Sequence, residues 1–281
     1  MRVLVCNRAD PASVNIRDRL LEGGTWEQAH KTFRGAPVWS RSEAILVEVA
    51  GPTVTDEALD ADLKGTNWPI MDVWFLSKHV AKSGHPSLTV HAIGNHAGAD
   101  FGGRSHMLSP AASRDMGALL RRLRDHAKAA GLPHSVTYES THHGPQMSVP
   151  SLFVEIGSDA QWYGDVASAQ VLARAIEDVL AGDGRCPGPI LVGVGGGHYV
   201  PRHTDLGAAG KADFGHFVPS HFIDETDEAG GKARLARAIA ATPGCAGVYV
   251  HKKGLKGPQR QAVLRWCAEL GVEVVSLGSD D

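Results

Sequence analysis

Short aliphatic runs alternate with stretches of helical period along almost the whole chain. Runs of strand length lie at Arg2–Cys6, Ala44–Glu48, Leu88–Ala92, Ser135–Glu139, Leu152–Ile156, Ile190–Val194, Gly247–Val250 and Val272–Leu277. Most are continuous in Val, Ile or Leu instead of alternating with polar residues. Strands covered on both faces read this way, so the sheet is expected to be mostly parallel. Between the runs, Ser109-Pro110 offers a helix cap followed by a first-turn proline, and Met116, Leu119, Leu120, Leu123 and Ala127 recur at helical spacing until Gly131. The same signals predict a helix over Gln161–Leu180 and two more over about Gly231–Ala241 and Pro258–Leu270.

This βα alternation predicts a three-layer α/β fold, a mostly parallel or mixed sheet with helices on both faces. Ligands in such folds bind beyond the carboxyl ends of strands, so the loops that leave strands are where chemistry is sought. No repeat or low-complexity linker divides the chain, and residues 1–281 read as one domain with inserted loops, the longest over about 51–87 and 195–226.

Composition narrows the class. Hydrophobic residues at 43% suffice for a core, and 21% charged residues with a full set of aliphatics exclude a disordered chain. No apolar run approaches the length of a bilayer span, and the four-residue run after Arg2 is too short for a secretory signal, so no membrane partner is expected. Cys6, Cys186, Cys245 and Cys267 are far apart with no C-x-x-C pair, which argues against a disulfide framework and for a cytoplasmic location. The formal charge of −3 gives the whole molecule no basic footprint. Histidine is the outlier, with 15 residues of the commonest metal ligand and acid–base group.

Several motifs fail on inspection. Gly193-Val194-Gly195-Gly196-Gly197-His198 follows a strand but has His198 where a dinucleotide fingerprint needs its third glycine. There is no Walker spacing, no G-x-S-x-G elbow and no H-E-x-x-H.

What remains is a set of histidine constellations. His142 and His143 follow the Ser135–Glu139 strand, with Glu155 inside the next apolar strand and Glu139 just upstream, a group that could bind zinc or activate water. An interior carboxylate needs a partner, which favours a role for Glu155. Gly195, Gly196 and Gly197 let backbone approach a ligand and present amides to an oxyanion or phosphate, with His198 and His203 beside them. His91 ends a strand, Asn95 and His96 lie on the loop after it, and Lys78 is a surface charge or an anion contact. Asp213, His216 and His221 form a looser group that metal binding does not demand. The acid-free turn with Lys252, Lys253, Lys256 and Arg260 is the best local footprint for a phosphate backbone, whereas Arg121, Arg122 and Arg124 read as solubility charges.

The runs Phe75–His79, Ser83–Asn95, Thr141–Pro145, Val149–Ser158 and Gly195–Tyr199, in this order, resemble the archaeal and plant type of D-aminoacyl-tRNA deacylase. The resemblance extends from about Asp72 to the C-terminus. It departs from that pattern in the loop composition of Ala97–Gly103. It implies a phosphorylase-like and peptidyl-tRNA-hydrolase-like α/β fold and a cytoplasmic, zinc-dependent hydrolase that frees D-amino acid from the tRNA 3′ end; separately, the chain is expected to be a monomer or homodimer. The resemblance carries over no ligand list, and zinc is expected from the histidine constellations themselves on His91, His142, His143 and His198. Catalysis is expected from His142, His143, Glu155 and His198, and tRNA contacts from Lys78, Asn95, Gly195, Gly196, Gly197, Lys252, Lys253, Lys256 and Arg260. The competing reading is a phosphorylase-like enzyme or metal-dependent amidohydrolase acting on a small metabolite.

Overall fold

In the computed structural model, which describes residues 1–278, the apolar runs build two sheets. The large sheet comprises β1 (Arg2–Asn7), β2 (Glu27–Phe33), β3 (Ala36–Arg41), β4 (Ala44–Val49), β5 (Asp72–Val80), β6 (Ser87–His91), β7 (Ser135–Tyr138) and β8 (Ser151–Ser158). Its order is β2-β3-β4-β1-β5-β8-β6-β7. The central β4-β1-β5-β8 ladder is parallel, β6 turns antiparallel to β8, and β7 runs parallel to β6. The small sheet, β10-β9-β11, is parallel throughout and contains β9 (Ile190–Val194), β10 (Asp213–Val218) and β11 (Cys245–Val250).

Helices α1 (Pro11–Glu22), α3 (Ser113–Ala129) and α5 (Val166–Leu180) cover one face of the large sheet, and α2 (Leu59–Gly65) helps to cover the other. α3 is packed on both sides. Met116, Leu119, Leu120 and Leu123 are fully buried in a core that also contains Phe214 and Phe217 of β10, so one helix serves both sheets. The polar link is Asp213, which is wholly buried between Arg114 (2.7 Å) and Arg121 (2.9 Å) of α3. α7 (Glu228–Ala240) and α8 (Gly257–Glu269) close the far side of the small sheet through Leu235, Ala262, Val263 and Trp266.

Several expectations are corrected. The supposed loop over 51–87 contains α2 and β5, and the one over 195–226 contains α6 (Pro201–Ala208) and β10. β5 escapes notice because its outer half, Ser77-Lys78-His79-Val80, turns polar where it lines a site. β10 escapes because Asp213, Gly215 and His216 interrupt its apolar run. Val272–Leu277 forms no strand of its own and contributes a single bridge from Val274 to Val248. The helix expected over Gln161–Leu180 breaks at Gly164 into α4 (Ala160–Tyr163) and α5, where Asp165 caps the second piece through the Ser168 amide at 2.7 Å.

Arg121 is a buried structural partner of Asp213, not a solubility charge. Asp213 is therefore committed to arginines, and His216 is held by Thr141 (3.0 Å) and the Ser109 carbonyl (2.8 Å), so these two make no metal group with exposed His221.

Candidate active site

Alternate residues of a strand share a face. The face of the large sheet that buries Val73, Phe75 and Phe153 continues on β5 as Ser77 and His79, on β8 as Glu155, and on β6 as Thr89 and His91. Ser77, Glu155 and Thr89 are direct neighbours in register across three strands. The chemistry thus stands over the sheet's face at the point where strand direction reverses, and not only in loops beyond the strand ends.

After β7 the chain supplies Glu139, His142 and His143. His143 takes a φ of 30°, in the left-handed region, which re-aims the backbone just after its neighbour. From the small sheet, the turn after β9 lays His198 and Tyr199 against the same place. Ser140 donates its backbone N–H to the His198 carbonyl at 2.7 Å, and Glu139 and Tyr199 pair as an antiparallel bridge. The seam between the two sheets therefore runs through the site.

Four imidazoles converge there. Ring centroids lie 4.1 Å apart for His91–His142, 4.2 Å for His142–His143 and 4.8 Å for His142–His198. Ligand atoms of His91, His142 and His143 lie within 4.8 Å of one another, as do those of His79, Glu139 and His198, and those of His91, Glu139 and Glu155. His142 Nδ1 is tied to the Ser140 carbonyl at 2.7 Å, which leaves its Nε2 facing Glu139 at 3.4 Å. His91 Nδ1 is tied to the Ala92 carbonyl at 3.1 Å, and its buried Nε2 has no hydrogen-bond partner, nor has Nδ1 of His143.

The electrostatics separate these groups. Burial opposes charge on His79, but Glu139, 2.9 Å from its Nδ1, and Glu155, at 3.7 Å, outweigh it and push its pKa up to about 11. The Glu139 contact is close but not aligned as a hydrogen bond. Burial works against the Glu139 carboxylate too, yet His198 and His79 hold it well below the usual range. Glu155 rises to about 7, first through burial and also through the charge of Glu139, with His79 opposing. Burial is the main reason that His142 falls to about 4 and that His91 and His143 fall well below the ordinary imidazole value. A neutral imidazole is the form that binds a metal.

A cleft of about 610 Å3 opens onto this group, with Lys78, His79, His142, His143, Glu155 and His198 in its wall. His79 was missed as a site residue from sequence, although two-residue spacing from Phe75 through Ser77 carries it onto the same face. Tyr199 was missed as well, and its phenol meets His79 Nε2 at 2.8 Å.

Other expected contacts fare differently. The Gly195 amide is spent on the Val218 carbonyl (2.9 Å) and the Gly196 amide on that of Gly254 (3.2 Å), so only Gly197 keeps a free N–H for an oxyanion or phosphate. Asn95 directs its side-chain amide to the carbonyls of Gly102 (2.9 Å) and Arg104 (3.5 Å), so it braces a loop. His96 donates its Nε2–H to the Phe217 carbonyl (2.8 Å), and fully buried His203 lies among Phe214, Phe217 and Tyr249, away from the cleft. Lys252, Lys253 and Lys256 are exposed and Arg260 half-buried on the turn after β11, which the Gly196–Gly254 bond ties to the His198 turn.

Comparison with known proteins bears on this arrangement. A family model described as D-aminoacyl-tRNA deacylase matches residues 69–275. The D-aminoacyl-tRNA deacylase of Thermococcus kodakarensis is 32% identical over 280 residues, covering 98% of this chain and 99% of its own length. That of Methanosarcina mazei is 33% identical over 283 residues, covering 97% and 91%. The crystal structure of a conserved protein of unknown function superposes with a TM-score of 0.86 at 28% identity, covering 98% of this chain and 94% of the other.

Proposed function

The chain belongs to the D-aminoacyl-tRNA deacylase family, and from that premise we propose that it hydrolyses the ester between a D-amino acid and the 3′ end of tRNA. The products are free D-amino acid and reusable tRNA. The observation that carries the reading is the convergence of His91, His142, His143 and His198 with Glu139 and Glu155 at one cleft.

The donor set fits zinc. Three neutral imidazoles, two of them with buried ring nitrogens lacking any partner in the protein, are a set that zinc binds readily and that is costly to leave unsatisfied. His91, His142 and His143 would hold the ion. His198, expected as a fourth ligand, groups instead with His79 and Glu139. When bound, zinc supplies Lewis acidity and lowers the pKa of bound water.

The chain's own residues do the rest. Glu155, in the cleft wall, receives the proton as water attacks the ester carbonyl carbon. The bond from that carbon to the ribose oxygen breaks, and the ribose oxygen leaves with the proton that Glu155 took from the water. Protonated His79, fixed between Glu139 and Tyr199, sets positive charge beside the developing oxyanion, whereas the Lys78 ammonium, expected as a substrate contact, lies over the Tyr163 ring on the opposite face of β5. Glu139 keeps His79, His142 and His198 oriented.

Lys252, Lys253, Lys256 and Arg260 would guide the acceptor-stem phosphates toward the His198 turn, and a tRNA substrate would place the protein in the cytoplasm. No helix among the described residues is long and apolar enough to cross a membrane. The test is deacylation of matched D- and L-aminoacyl-tRNA with and without chelator. Hydrolysis of the D form alone, lost on chelation and restored by zinc, is the expected result. Inertness toward D-aminoacyl-tRNA beside turnover of a nucleoside or amide would overturn the reading.

A further inference from the structure

The loop between β6 and α3 carries Phe101, which at 74% exposure is the most exposed large apolar side chain among the described residues. Phe101 lines the same cleft as His142, His143, Glu155 and His198. A benzyl group left in water at the mouth of the cleft contributes little to folding, and such exposure marks a contact surface.

The loop is held in place. Gly102, at φ +90°, passes so close to Val54 that an added Cβ would fall 1.7 Å from the Val54 carbonyl oxygen. The Gly103 amide, at φ +80°, donates to Glu57 at 3.1 Å. Asn95 holds the Gly102 carbonyl at 2.9 Å, and the His106 amide closes the loop onto the Ala97 carbonyl at 2.8 Å. Both glycines adopt conformations that side chains avoid, and with these bonds they hold the backbone from which the ring projects. An aromatic ring carried on an anchored backbone at a site mouth is suited to stack on a flat partner, because the loop itself needs no ordering.

We propose that Phe101 is the stacking platform for the terminal adenine of the tRNA, a base-binding subsite at the cleft mouth; this rests on the deacylase reading of the cleft. Two flat or apolar groups flank the scissile ester, the adenine and the amino-acid side chain. The acyl group has to reach the buried imidazoles, where His91 is wholly enclosed and His142 and His143 only partly exposed, so its side chain points inward. The base lies on the leaving-group side and is the part that every aminoacyl-tRNA shares. An exposed ring at the rim meets that shared part, through stacking that any purine face supplies.

Steady-state deacylation by the zinc-loaded full chain distinguishes these roles. Phe101→Ala is expected to raise KM about ten-fold with little change in kcat, equally for tRNA carrying a bulky or a small D-amino acid, and Phe101→Tyr to retain wild-type KM. A second readout is independent of catalysis. Phe101→Trp should show fluorescence quenching by adenosine 5′-monophosphate, beyond any seen in wild type, and none by ribose 5-phosphate. An unchanged KM in Phe101→Ala, a loss that grows with the size of the amino-acid side chain, or equal quenching by the two phosphates would overturn the assignment. A wild-type protein inert toward D-aminoacyl-tRNA would defeat the functional reading instead, while the fluorescence titration would still decide whether the platform binds a base.

Discussion

His79 and Glu139 lie on β5 and just after β7, with two strands between them, yet their side chains meet at 2.9 Å over the sheet. Glu155, on one of the intervening strands, stands 3.7 Å from the same imidazole nitrogen. One protonated ring therefore offsets much of the charge of two buried carboxylates, each of which would otherwise be expensive to keep ionised.

We predict that His142→Ala and His143→Ala each abolish detectable deacylation while leaving the circular dichroism spectrum close to wild type. Both rings project from a loop and carry little of the core. Bound zinc, measured by mass spectrometry of the purified variants, should fall with activity. Activity within a few-fold of wild type would remove these residues from the mechanism.

The basic turn after β11 supplies a prediction about salt. Replacing Lys252, Lys253, Lys256 and Arg260 together by alanine should raise KM for aminoacyl-tRNA, leave kcat near wild type, and flatten the dependence of binding on salt concentration. An unchanged KM and an unchanged salt slope would mean that tRNA does not track this edge.

Asp213→Ala should destabilise the fold by about 3–5 kcal/mol, because it leaves Arg121, almost enclosed, and Arg114 without the carboxylate that they share. Denaturant titration checks this. A cost below about 1 kcal/mol would show that the arginines find other partners.

Asp72 shapes how stability varies with pH. Burial, and then repulsion from Asp115, raise its pKa to about 7 although Arg2 approaches at 3.2 Å. The folded state thus holds a proton that the unfolded chain releases near its ordinary value of 3.8. The resulting stabilisation is complete below that value and is lost as pH rises through about 7. Asp72→Asn cannot lose that proton, so its melting temperature relative to wild type should climb between about pH 4 and pH 8. A constant difference across that range would contradict the assignment.

Much of the architecture is legible in the sequence because continuous aliphatic runs such as Leu152–Ile156 and Ile190–Val194 have few alternatives to a buried strand. What escapes is instructive. β5 and β10 are the strands whose apolar pattern is broken by His79 and by Asp213 and His216, and each break has a partner far along the chain that periodicity does not reveal. His91, His142, His143, His198 and Glu155 are found from type and context, and the structure brings them together. Side-chain type alone overstates the triglycine, because whether an amide is free depends on what folds against it, and two of its three are taken by β10 and the basic turn.

The main-chain bond from Ser140 to His198 has one last implication. It fastens the two layers at the reactive centre itself, so a small slip of one layer past the other would carry His198 and Tyr199 away from Glu139 and His79. On gentle heating or mild denaturation, turnover should fail while the helical signal persists, and the enzyme would report loosening of its own seam before the chain comes apart.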